Sequence, residues 1–301
     1  MLYQLSYTPA SGDCAPEEGA LSGLTKGMQP QRSSIHPMAR EEPQIIPPEL
    51  LLRAYRAGIF PMADSRDDPE IYWVEPRMRA ILPLHGFHLS RSLAKTLRQD
   101  RFRVTCNAAF DAVIDHCAAP RPDAAESWIS MRIRDSYREL HARGAAHSIE
   151  TWQTAPDGVE RLVGGLYGVG IDRAFCGESM FSRATDASKV ALAWLVAALR
   201  QGGAELLDCQ FTTPHLASLG AVEMPQAEYL DLLHHATQAS SQQAAARYWG
   251  GATSAGVSSV SSAGSGALLA LGFSALAAAA AAAGSSSSPG NFIAQFLTQT
   301  S

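Results

Sequence analysis

Two short polar motifs, one helix apart, constrain this chain more than any other feature. Gly177-Glu178-Ser179-Met180-Phe181-Ser182 extends the strand-like run Ala174-Phe175-Cys176, and Asp208-Cys209-Gln210 extends Leu206-Leu207. Between them, Ala187 to Leu199 is helix-forming sequence closed by Gly202-Gly203, a C-cap pair. A strand–helix–strand connection places its two strands parallel and adjacent. Glu178, Asp208 and Gln210 then converge on one place, and an apolar core has no use for three polar groups there. They form a candidate site.

The rest of the body supplies the frame. Pro47-Pro48 opens a short helix that Gly58 stops, with proline near N1. Ser90 caps a helix with Leu89, Leu93 and Leu97 on one stripe and Arg91, Lys95 and Arg98 on another. Ala109, Phe110, Val113, Ile114 and Cys117 repeat the helical spacing, as do Ile129, Ile133 and Leu140 after a Ser127 cap. Strands are expected over His147–Thr154, Leu162–Ile171 and Arg173–Phe181, joined by hairpins, with a last helix from Pro225 through Leu233. Helices, three meandering strands, helix, strand, helix is an α+β order with one parallel crossover.

Five scattered cysteines without a CxxC pair argue against a disulfide framework or a zinc site, and for a reducing compartment. A net charge of −5 argues against a general nucleic-acid binder. The segment from Pro76 to Val104 departs from it, with Arg77, Arg79, Arg91, Lys95, Arg98, Arg101 and Arg103 against the single acid Asp100.

Residues 1–42 mix glycine, proline, serine and charge without periodicity. They read as a disordered leader, not a secretory signal, with Met28 or Met38 as possible internal starts. Residues 43–105 read as a small N-terminal domain and 106–238 as a larger one. Residues 239–301 read as a low-complexity Ala/Ser/Gly-rich tail outside the fold. The apolar stretch 267–283 is mostly alanine, is broken by Gly272 and Ser274, and has no flanking lysine or arginine. A fluctuating helix is expected there, not a membrane span.

Taken in order, Gly58-Ile59-Phe60-Pro61-Met62, Trp73-Val74-Glu75-Pro76-Arg77, Ser127-Trp128-Ile129, Ala146-His147-Ser148-Ile149-Glu150-Thr151-Trp152 and Leu162-Val163-Gly164-Gly165-Leu166-Tyr167-Gly168 lead up to the two opening motifs and Ala187-Ser188-Lys189. Together they resemble the bacterial leucyl/phenylalanyl-tRNA–protein transferase family over about residues 43–236. The resemblance implies a C-terminal domain like the acyl-CoA N-acyltransferases (GNAT-like), preceded by a smaller α/β N-terminal domain. It implies transfer of leucine or phenylalanine from aminoacyl-tRNA to proteins beginning with arginine or lysine, which marks them for degradation. A cytoplasmic monomer without cofactor or metal is expected. The chain departs from the family in two places: Gln226 stands where arginine is usual, and the tail is foreign to it.

Attack of an amine on an aminoacyl ester is downhill and needs chiefly near-attack positioning, which alone supplies about 7–11 kcal/mol. The resemblance gives Asp208 and Gln210 the catalytic places, Asp208 either taking the proton or only positioning groups; a plain pairing of Asp208 with a nearby arginine is the alternative. Glu178 is expected to meet the positive charge of the acceptor's N-terminal arginine or lysine; a structural partner of backbone donors is the alternative. Trp73, Trp128, Phe175 and Met180 are expected to line the pocket for the transferred residue, with Ser182 as a further substrate contact. Arg77, Arg91, Lys95 and Arg98 are expected to meet the acceptor end of the tRNA.

Three rival readings stand beside this. An acyl-CoA-dependent N-acyltransferase of the same fold would want glycines where Arg183-Ala184-Thr185-Asp186-Ala187-Ser188 has none. A Cys209–His215–Asp208 nucleophile is disfavoured because strand alternation turns Cys209 away from its neighbours. The third is a non-catalytic module that binds basic N-termini.

Overall fold

The structure, a computed structural model, describes residues 45–120, 126–249, 267–282 and 288–299. The expected leader, 1–42, lies outside the described residues. In chain order the elements are α1 (Pro48–Arg56), β1 (Phe60–Met62), β2 (Tyr72–Val74), β3 (Met78–Ile81), α2 (Arg91–Arg98), β4 (Arg103–Cys106), α3 (Phe110–Cys117) and α4 (Met131–Ala142). There follow β5 (Ala146–Thr154), β6 (Glu160–Ile171), β7 (Ala174–Ser182), α5 (Ala187–Gln201), β8 (Leu206–Gln210), α6 (Pro214–Ala217), β9 (Val222–Pro225), α7 (Gln226–Trp249), α8 (Ala267–Ala282) and α9 (Pro289–Thr298).

Seven strands make one sheet in the order β4-β5-β6-β7-β8-β3-β9, and β1 pairs with β2 beside it. The expected meander is β5-β6-β7, antiparallel throughout, and the expected crossover is the parallel pair β7–β8. The protein is thus α+β. The small strands β3, β4 and β9 are not legible in the sequence, since four residues are too few for a readable alternation. Their pairing carries the sheet across the boundary expected at residue 105. β3 lies between β8 and β9, and β4 closes the far edge on β5.

Each face of the sheet has its own core. On one, α5 packs with α2 and α6 over Leu166, Phe175, Met180 and Leu207. On the other, α1, α3 and α4 cover Tyr167, Val169, Cys176 and Phe181. α7 closes the β3–β8 end through Tyr229 and Leu233. Ser90 caps α2 as expected, its hydroxyl accepting from the Leu93 amide. α4 is capped by Ser130, not Ser127: Ser130 accepts from the Ile133 amide, while Ser127 accepts from the Ile129 amide in the turn before.

The tail departs most from expectation. α8 packs along α5, and α9 sits on α2 and α5, burying Leu269, Leu276, Ile293, Ala294 and Leu297 in the α5-side core. The α5–α8 crossing is close enough that a side chain on Gly202 or Gly272 would run into the other helix's backbone. Alanine-rich composition conceals this. The glycine that interrupts the apolar stretch is the contact point of a helix pair. At its start α9 is held by the Gly290 amide, which donates to Asp100 Oδ1 at 2.7 Å.

Candidate active site

The parallel pairing of β7 with β8 ends at Cys176 and Asp208, although β7 runs on to Ser182. The ladder does not continue past that point, and two backbone irregularities bring buried polar groups of the two strands together. In β7, Gly177 pairs with Gly168 and Ser179 with Tyr167, which leaves Glu178 as the extra residue of a bulge. In β8, Gln210 adopts the left-handed conformation, φ 63°. For a residue with a side chain that strain costs on the order of 1–3 kcal/mol and needs surrounding structure to hold it.

Glu178 is fully buried. Its Oε1 accepts from Gln210 Nε2 at 2.8 Å and its Oε2 from the Tyr137 hydroxyl at 3.1 Å. Tyr137 is in turn hydrogen-bonded to Tyr55 of α1. Burial pushes the Glu178 carboxyl up to about 7, against the hydrogen bonds from Tyr55, Gln210 and Tyr137, which favour its charged form, while Asp208 adds to the rise. Near neutral pH this group stands between its two protonation states.

Asp208 is also fully buried, and both its oxygens are occupied. Oδ1 accepts from Arg79 Nε at 2.9 Å and from the Gln210 backbone amide at 2.8 Å; Oδ2 accepts from Arg79 Nη2 at 2.5 Å and from the Tyr229 hydroxyl at 3.1 Å. The Arg79 guanidinium lies over the rings of Phe60 and Tyr229, and its Nη1 donates to the Gly58 carbonyl. Burial opposes its charge, but the adjoining Asp208 carboxylate outweighs this and raises its pKa. The arginine partner considered for Asp208 therefore exists. The same carboxylate holds the turn that presents Gln210, so pairing and positioning are one arrangement.

The other expected residues divide. Trp73 and Trp128 both adjoin β1: Trp73 is the register partner of Pro61, and the Trp128 carbonyl accepts from the Ala63 amide. Trp73 is 37% exposed, whereas Trp128 is buried with its indole N–H unpartnered. Met180 points to the α5 side and lines a narrow cavity of about 20 Å³ with Ser179, Leu192, Leu195, Leu207 and Leu216. Phe175 is on the same side but packs its ring against Gly168, outside that lining. Ser182 is turned to the start of α5, where its hydroxyl donates to the Ala184 carbonyl and accepts from the Ser188 amide. Cys209 is buried on the α5 side, turned away from Asp208 as the strand alternation requires, and burial raises its thiol pKa.

Of the basic segment, Arg79 is interior and Arg103 is tied to Glu160 through two nitrogens. Arg77, Arg91, Lys95 and Arg98 are exposed. The last three stand on the outer side of α2, whose Leu93 and Leu97 face the core. Gln226 donates to Glu75 Oε1 at 2.6 Å. Among the described residues no cluster of His, Cys, Asp and Glu could hold a metal ion, and no helix is long and apolar enough to cross a membrane. Arg79, Tyr55, Tyr137 and Tyr229 are site residues that sequence reasoning missed; in the sequence Arg79 is one more cation of the basic segment.

The sequence is similar to known proteins of one family. The family profile described as leucyl/phenylalanyl-tRNA protein transferase matches residues 81–234, and that of the same family's N-terminal domain matches residues 44–77. A leucyl/phenylalanyl-tRNA–protein transferase of Novosphingobium aromaticivorans is 68% identical over 271 residues, covering 88% of this chain and 100% of the relative, so the match reaches into the 239–301 tail expected to be foreign to the family. Proteins of the same name from Zymomonas mobilis and Cereibacter sphaeroides are 58% and 51% identical, over 65% and 71% of this chain and 71% and 95% of their own. The chain belongs to the leucyl/phenylalanyl-tRNA protein transferase family.

Proposed function

We propose that this protein transfers leucine or phenylalanine from aminoacyl-tRNA to the α-amine of proteins beginning with arginine or lysine, a mark for degradation, as a cytoplasmic monomer. The observation that carries the reading is the chain of contacts Arg79–Asp208–Gln210–Glu178 at the ends of β7 and β8. In this reading α1, β1 and β2 form a small N-terminal unit against a GNAT-like body, and the place where the β7–β8 ladder stops is the acyl-transfer cleft of that fold.

The reaction forms an N–C bond, breaks the ester C–O bond, and moves one proton from the amine to the departing ribose oxygen. An α-amine with a pKa of about 8 is readily available in its neutral form. Gln210 gives its amide N–H to Glu178, which leaves its carbonyl oxygen to accept from the attacking amine. Asp208 and Glu178 act through Gln210. Asp208 fixes its backbone, and Glu178, with both oxygens hydrogen-bonded, fixes its side chain. This favours the positioning role of Glu178 over direct contact with the acceptor's cation. The transferred side chain enters between Met180 and Leu207; the present cavity holds about one water, so Met180, a flexible side chain, must move aside. Neither Trp73 nor Trp128 lines that cavity; α2 meets phosphates with Arg91, Lys95 and Arg98.

The acyl-CoA reading is disfavoured by the start of α5, where Asp186, paired with Lys189, occupies the N-cap and no glycine opens the turn. Transfer of radiolabelled leucine from leucyl-tRNA to a peptide beginning with arginine is the direct test. Label is expected in that peptide and not in one beginning with glutamate. Acetyl transfer from acetyl-CoA without leucyl transfer would replace this reading with the rival.

A further inference from the structure

A cavity of about 370 Å³ lies where the tail meets the body, between α2, β4 and α5 on one side and α8 with the start of α9 on the other. Leu97 lines it, so it is on the core side of α2 and faces away from Arg91, Lys95 and Arg98. Leu97, Phe102, Val104, Val190, Trp194 and Phe273 make its walls chiefly apolar. Close-packed interiors leave few voids much larger than a water, and an apolar pocket of roughly 300–1,000 Å³ with a few polar groups is the usual form of a small-molecule site. Helix α8 keeps this one open: it presents Ala277 and Ala280 to the cavity, where a larger apolar side chain would fill it.

Three charged residues stand at the exposed rim, and two of them are satisfied. Asp100 Oδ1 accepts from the Gly290 amide at 2.7 Å, and the positive end of α9 compensates its charge. Arg103 gives Nε and Nη2 to Glu160, each at 2.7 Å. Arg101 forms no ion pair among the described residues; its guanidinium lies over the ring of Phe102, a wall of the cavity, 5.6 Å from the centroid. The charge left over at the mouth is one cation beside an apolar chamber. Neither a cation nor an uncharged molecule would use it, whereas the planar N–H fork of arginine matches a carboxylate.

We propose that this cavity binds a small apolar carboxylate, of the class of medium-chain fatty acids, with its carbon chain against Trp194 and Phe273 and its carboxylate on Arg101. The bound molecule touches the body through Phe102 and the tail through Phe273 and Ala277, so it fastens the tail helices in place. Binding to the docked form alone raises stability by mass action. None of Asp208, Gln210 and Glu178 lines the cavity, so occupancy and leucyl transfer are separately measurable.

Titration of decanoate into the full chain tests this by calorimetry and by the thermal midpoint. About one equivalent is expected to bind and to raise the midpoint. Decanol, which has the same chain and no charge, should bind about tenfold more weakly, and Arg101→Ala should bring decanoate to the level of decanol. Ala277→Trp, which fills the cavity, should abolish both. Arg101 is exposed, so its variant keeps the fold and decides the matter even where Ala277→Trp does not fold. No heat and no shift with decanoate would overturn the assignment. So would decanol binding as tightly as decanoate, or decanoate binding to Arg101→Ala or to folded Ala277→Trp as it does to the parent.

Discussion

Asp208 and Arg79 are the residues of the site that tolerate change least. Both are buried, and each is the other's main compensation. Arg79→Met is expected to destabilise the protein by about 3–5 kcal/mol, because it strands a buried carboxylate. The double variant Arg79→Met with Asp208→Leu should recover much of that stability without recovering activity; urea unfolding and a transfer assay on the set measure both. Glu178 gives a second test, through pH. Its carboxyl has a reference value of 4.5 and is raised to about 7 in the folded protein. The folded state therefore holds a proton that the unfolded state has released between those values. The stability from this group is fully present below pH 4.5 and is lost as pH rises through 7. Glu178→Gln should flatten that decline in a series of unfolding curves, and an unchanged slope would contradict it. Nothing in the sequence separates Arg79 from Arg77. Only the pairing of β3 with β8 makes one the interior partner of Asp208 and leaves the other on the surface.

Helix α2 carries the prediction that belongs to elements. Its apolar side is held by the core, so Arg91, Lys95 and Arg98 can be changed to alanine together with little effect on folding. If they meet phosphates, tRNA binding weakens and the slope of log affinity against log salt falls by about 0.7–0.9 for each phosphate that is no longer neutralised. An identical slope in a filter-binding titration would remove α2 from the interface. Elements of this length are legible because their signals repeat: Leu93 and Leu97 mark the buried stripe of α2, and twelve of the fifteen α5 residues are buried. The β5–β7 meander is equally plain. What the sequence conceals is what a single event decides. The bulge at Glu178 and the left-handed turn at Gln210 are each one residue long, yet they aim the site. Ser182, expected as a substrate contact, is bound into the first turn of α5, a difference that a strand-end serine does not announce.

At the scale of the whole molecule, the alanine-rich segment is part of the body. Its helices cover the outer side of α5, with Phe273 against Trp194 and Phe296 under the Arg200 guanidinium. A chain stopped after residue 249 is expected to unfold at lower temperature and to bind hydrophobic dyes. Gly272→Leu in the full chain should cost about 1–3 kcal/mol, because the α5–α8 approach has no room for a side chain. An unchanged melting temperature in both would show that the helices lie there without contributing. The docking of α9 on α2 also has a consequence for synthesis. About two hundred residues separate the two helices, so at roughly 5–20 residues per second a nascent chain waits about 10–40 s between making one and making the other. Until α8 and then α9 have left the ribosome, Trp194 and its neighbours lack their full cover. During that interval the protein is itself a candidate for the chaperones and proteases that survey unfinished chains.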